Sequence, residues 1–128
     1  MTLVRATVFL LATCGTCLAA DFDGSKPLIC APVEAMDCVA GEACKKGTPD
    51  DIGAPAFIRL DVTKKEIVGA RQATPILFMD KNDARLLLQG TELGYGWTLA
   101  LDSASGKLSG TLVDQGGVFV LFGSCTPL

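Results

Sequence analysis

From Ala54 onward the chain alternates apolar and polar residues with a period of two. "FIRLDV" sets Ile58, Leu60 and Val62 against Arg59 and Asp61. "WTLALD" sets Trp97, Leu99 and Leu101 against Thr98, Ala100 and Asp102, and "KLSGTLV" sets Leu108 and Leu112 against Ser109 and Thr111. This is the pattern of strands with one face in a core and one in water. "EIVG", "TPILFMD" and "RLLLQGTE" lie between them, and the punctuation "DKND", "ELGYG", "DSASG" and "DQGG" is hairpin chemistry. The expected fold is mainly β: an antiparallel up-and-down meander of six or seven strands. With so few helix signals to cover it, the sheet curls into a small barrel or half-barrel.

Two segments break the alternation. "VFVLF", Val118 to Phe122, is apolar on both faces, which requires cover on both. Residues 21–53 are rich in proline, glycine and cysteine and read as a wrapped loop with two short helical turns. One starts at Pro32 in "APVEAMDC". The other starts in "TPDD", where Thr48 caps, Pro49 comes first, Asp51 completes a capping-box spacing and Gly53 stops the turn. The wrap is expected on the outer side of the last strand, over Phe119 and Leu121. Residues 54–128 form the meander, and wrap and meander make one domain.

The first twenty residues stand apart. Arg5 precedes the apolar run Ala6 to Ala12, and small residues close the segment in "CLAA", the order of parts of a signal peptide cleaved after Ala20. The uncharged stretch is about fifteen residues, short of the ~20 a spanning helix needs, so no stable membrane span is expected. Lipidation at Cys14, behind "LAT", is the rival reading of this leader. Cleavage leaves ten basic against fourteen acidic residues, a net charge of −4, with the basic residues scattered. The footprint of a nucleic-acid binder is missing.

Cleavage also leaves four cysteines, Cys30, Cys38, Cys44 and Cys125. In an exported chain these read as two disulfides. Zinc knuckles need closely spaced pairs, and the chain has no histidine, so no metal or other cofactor is expected. Three pairings are possible. Cys38 and Cys44 enclose "VAGEA", which Gly41 can reverse, so a local loop closes there and leaves Cys30 to Cys125. The chain-entropy model gives the short loop about 2.4 kcal/mol and the long one about 4.7. The long bond is expected to strap the wrap to the last strand.

Candidate chemistry is sparse. Without histidine there is no Ser-His or Cys-His nucleophile, so no catalytic residue is assigned and the protein is read as a non-enzyme. The acidic residues fall mainly in turns or on polar strand faces, and a carboxylate-based enzyme is kept only as an alternative. "DKNDAR" opens like an EF-hand loop but has Arg85 where that loop needs glycine and Thr91 where it needs glutamate. "GTELGYGW" holds the only tyrosine and the only tryptophan, among glycines. Tyr95 and Trp97 are therefore the candidate ligand-binding residues, Tyr95 as a stacking surface at a barrel mouth. For Trp97, the phase with Leu99 and Leu101 favours a core anchor over a ligand contact.

The stretches "DFDGSKPLIC", "EAMDC", "DDIGAPAF", "LLLQGTELGYGW" and "FGSCTPL" resemble small exported bacterial proteins of no assigned activity. "SASGK", Ser103 to Lys107, carries a second and weaker resemblance, to the periplasmic inhibitors of c-type lysozyme, which are small barrels with a terminal disulfide strap. That resemblance implies an inhibitory role for Ser105, although the tyrosine expected after this turn is absent. Turn chemistry accounts for Ser103, Ser105 and Gly106 as well. The expectation is a monomeric periplasmic or secreted binding or envelope-associated module whose partner is a small ligand or an envelope protein, with lysozyme inhibition as the alternative.

Overall fold

The structure, a computed structural model, describes residues 22–128. The expected leader, its cleavage site and Cys14 lie outside the described residues. Ten strands form one antiparallel sheet: β1 (Leu28–Cys38), β2 (Lys45–Gly47), β3 (Ile58–Asp61), β4 (Glu66–Val68), β5 (Ala73–Pro75), β6 (Phe78–Lys81), β7 (Arg85–Glu92), β8 (Tyr95–Asp102), β9 (Lys107–Val113) and β10 (Val118–Pro127). Their order is β5-β4-β3-β1-β10-β9-β8-β7-β6, with β2 paired to one end of β1. The sheet curls into a half-barrel. Its β5 side returns toward β7, where the Thr74 hydroxyl donates to the Thr91 carbonyl at 3.1 Å.

The runs β3 to β5 and β6 to β10 are meanders, as the alternation predicts, but the strand count of six or seven is too low. The main reason is β1. The expected wrap with a helical turn at Pro32 is instead an eleven-residue strand in the middle of the sheet, paired with β10 on one side and with β3 and β2 on the other. Weak local helix signals yield here to two flanking ladders. Proline fits because it sits at a bulge: the register with β10 slips between Pro32 and Glu34, and the extra residue, Val33, turns out to solvent at 69 % exposure. Beyond the bulge the inward positions change from Leu28 and Cys30 to Ala35. That shift hides the period of two from a reader of the sequence.

The second helix signal is correct in place and in mechanism. Pro49–Ile52 is a 3-10 turn with Asp51 accepting from the Thr48 N–H at 2.7 Å and from its hydroxyl at 2.9 Å, and Gly53 ends it at φ +70°. "TPILFMD" divides into β5 and β6, because this segment changes partner from β4 to β7. Buried Ile76 donates to the Lys65 carbonyl and Leu77 to that of Gln89, each at 2.9 Å.

The core is the concave face: Leu28, Cys30, Leu60, Ile67, Ile76, Leu86, Leu88, Trp97, Leu99, Leu101, Leu108 and Cys125. Both disulfides have the expected partners, Cys30 with Cys125 and Cys38 with Cys44. The long one is no strap over the sheet, since Cys30 and Cys125 stand opposite each other on adjacent strands, inside the core. The faces of the last strand are also reversed from expectation. Leu121, 8 % exposed, shares the inner face with Cys125, whereas Phe122, 40 % exposed, points outward. β1 and β9 flank the strand only as ladder neighbours, and its outer face, Val118, Val120 and Phe122, is half-buried to exposed rather than covered by a wrap.

One end of the half-barrel is plugged by the segment before β1. Phe22 packs so close to Gly106 that a Cβ there would stand 2.6 Å from its ring, and a Cβ on Gly24 would meet Val62 at 2.8 Å and Leu86 at 3.2 Å. Asp23 ties the plug to β6 through Lys81 at 3.5 Å. Hydrogen bonds from the Ser25 side chain and N–H, and then Lys81, hold the Asp23 carboxyl down from the ordinary 3.8 to about 2. A carboxyl whose folded pKa is depressed stabilises the fold above its unfolded pKa and loses that contribution as pH falls through the folded one. The plug is therefore expected to loosen between pH 3.8 and about 2. Faster amide exchange at Ser25 over that interval, absent in Asp23→Asn, is the readout. Equal pH dependence in both proteins would remove the role of Asp23.

Candidate functional site

The end opposite the plug carries the hairpin turn between β7 and β8, the turn between β9 and β10, and the loop closed by Cys38 and Cys44. The β7–β8 turn is Leu93-Gly94, with φ of +50° and +86°, the pair of positive values that a two-residue hairpin of this twist requires. Leucine at such a position is uncommon, and here it is 83 % exposed on the rim.

Cross-strand partners share a face of the sheet, so the register gives the lining of this end. One inner row runs Lys45, Asp37, Phe119, Leu112, Trp97, Gly90 across β2, β1, β10, β9, β8 and β7. One step nearer the rim, Glu92 faces Tyr95. The Tyr95 and Phe119 rings meet across β9 with centroids 6.0 Å apart and planes tilted by 37°. Both residues are half-buried. The result is an arc of Glu92, Tyr95, Phe119, Asp37 and Lys45, with Leu112 and Trp97 beneath it. Gln72, just before β5, donates from its amide to the Glu92 carboxylate and fixes one end of the arc.

The two residues singled out in the sequence thus sit on one face but differ in exposure. Trp97 is 6 % exposed and belongs to the core, as its phase with Leu99 and Leu101 indicates. Its indole packs against Gly90, where a Cβ would come within 2.3 Å of the ring and 2.8 Å of the Pro75 carbonyl oxygen, so that position requires glycine. The indole N–H is buried with no hydrogen-bond partner. Tyr95 is the accessible one. Sequence reasoning misses Phe119 and Asp37, because "APVEAMDC" carries weak helix signals rather than an alternation and a run apolar on both faces does not say which way Phe119 points.

The "SASGK" turn lies at the other end, on the convex side. Asp102 builds it, its carboxylate accepting from the Ser105 N–H at 2.7 Å and the Ala104 N–H at 3.0 Å, and those bonds, led by the one from Ser105, hold its pKa below the ordinary value. The Ser105 oxygen accepts from the Lys107 N–H at 3.3 Å. A shallow open depression of about 300 Å³ beside the turn is lined by Arg85, Asp102, Ser105, Lys107 and Ser109. Arg85 is held by Asp80 at 3.0 Å. Ser103 is buried and lies away from this depression's lining.

The acidic side chains mostly do structural work. Asp51 and Asp114 accept turn N–H groups. Asp61 departs from the expected polar face: it is buried, accepts from the Lys64 N–H at 3.0 Å and stands 3.7 Å from Arg59. Among the described residues, no three cysteine or acidic side chains are placed to hold a metal ion, and no helix is long and apolar enough to cross a membrane.

Fold and site together define a small antiparallel half-barrel with two disulfides, plugged at one end and lined by half-exposed aromatic rings at the other. Two disulfides fit an oxidising, extracytoplasmic environment. No family model, curated protein or solved structure matches the chain.

Proposed function

We propose that the protein is an exported, non-catalytic binding module of the periplasm or the secreted fraction, and that it takes a small ligand at the aromatic end of the half-barrel. The observation that carries this reading is the Tyr95–Phe119 pair, which lies on the inner face at the end away from the Phe22 plug. Two tilted rings over an apolar floor of Leu112 and Trp97 make a concave surface with polar groups at its margin, the usual composition of a small-molecule site. Both rings stay half-exposed on this face, within reach of a ligand.

Native mass spectrometry of protein taken from cells tests the proposal. The parent is expected to carry an adduct that the Tyr95→Ala, Phe119→Ala variant loses while keeping its folded charge-state distribution. A bare parent, or an adduct that survives in the variant, would refute binding at this end.

A further inference from the structure

We infer that the ligand site is built for a cation, an organic ammonium or guanidinium group held against the paired rings. The inference rests on the aromatic end being the binding site and specifies its ligand. The register places a carboxylate beside each ring on the same face: Glu92 directly opposite Tyr95, and Asp37 directly opposite Phe119. Direct cross-strand neighbours have Cβ atoms about 5 Å apart, so each carboxylate stands within reach of whatever lies against its neighbouring ring.

A cation over a phenyl or phenol face is attracted by the ring's quadrupole, and pairs or cages of such rings are a recurrent way to hold quaternary ammonium groups. Flanking carboxylates add direct charge attraction. An anionic ligand would meet repulsion from both sides of the arc, and a neutral one would gain nothing from them. The chain's balance of fourteen acidic to eleven basic residues favours the approach of cations generally.

The arrangement is anchored rather than incidental. Glu92 is fixed from the β5 side by the Gln72 amide. Asp37 sits near the end of β1, which the disulfide between Cys38 and Cys44 ties down one residue later. The one basic residue of this row, Lys45, is exposed and lies beyond Asp37, on the far side from Phe119. There it competes for Asp37, so its removal should help a cationic ligand.

Choline and its uncharged isostere 3,3-dimethylbutan-1-ol separate charge from shape. Each is titrated into the millimolar range while the Tyr95 and Phe119 ring resonances and Trp97 fluorescence are followed. Choline is expected to shift both rings and to bind about tenfold more tightly than the alcohol. Asp37→Asn and Glu92→Gln should each weaken choline severalfold without changing the alcohol, and Lys45→Ala should strengthen choline. The Glu92→Gln amide can still accept from Gln72, so the fold is preserved in that variant. If the alcohol shifts the same rings as strongly as choline, the cation inference falls and the aromatic site stands. If neither compound moves those resonances, the cation inference is overturned, and the adduct experiment decides separately on the site.

Discussion

Replacing Cys30 and Cys125 together by serine is expected to cost about 4.7 kcal/mol, because the bond closes a loop spanning 95 positions and its loss frees the unfolded chain. The folded side adds to the cost, since both sulfurs lie in the core between β1 and β10, with Cys30 fully buried. Two serine hydroxyls there would need hydrogen-bond partners. A strap over the outer surface would have released a local segment on reduction. A bond between two central strands instead predicts loss of the whole cooperative unit. Urea unfolding followed by Trp97 fluorescence, together with limited proteolysis, distinguishes the two. Cleavage throughout residues 28–128 is expected, and a loss under about 2 kcal/mol, or clipping confined to residues 31–53, would contradict this placement.

The same pair of strands shows what the sequence could and could not reveal. β7, β8 and β9 each have one wet and one dry face, so the period of two is visible there, and the Trp97 face follows from it. The cap before Pro49 is legible because Thr48, Pro49, Asp51 and Gly53 all act within six residues. Easy loop closure around Gly41 ranks the three possible disulfide pairings, and the structure has the one ranked first. β1 was hidden because its alternation changes phase at the bulge, and because Pro32 reads as a helix start when its partner strand is ninety residues away. β2 is three residues long and carries no period at all.

The aromatic end inherits these limits. Tyr95 is conspicuous as the only tyrosine in the chain, and its face is set by a clear alternating strand. Phe119 lies in a run apolar on both sides, where composition says nothing about direction. Only the ladder with β9, which pairs it with Leu112, and the ladder with β1, which pairs it with Asp37, decide which way it points. A site assembled from six strands is visible in sequence only as far as each strand's own periodicity reaches.

Substituting Gly123 by alanine is expected to cost about 3 kcal/mol, the upper part of the range for overpacking a closely packed interior. Gly123 is the β10 residue paired with Pro32 at the bulge in β1, where the backbone of β1 comes close to it. A Cβ there would lie 2.3 Å from the Ala31 carbonyl oxygen and 2.8 Å from the Pro32 Cα. Both are backbone atoms in a strand that is laddered on its other side to β3, so neither can swing away as a flexible side-chain tip would. Relief requires separating β1 from β10 next to Cys30 and Cys125, in the middle of the sheet. Gly116→Ala, in the β9–β10 turn, is the control: its Cβ would meet only the Asp114 side chain at 3.4 Å, and its cost should stay within about 0.5 kcal/mol. If urea midpoints for the two alanine variants coincide, the close approach at the bulge is not what requires glycine at position 123.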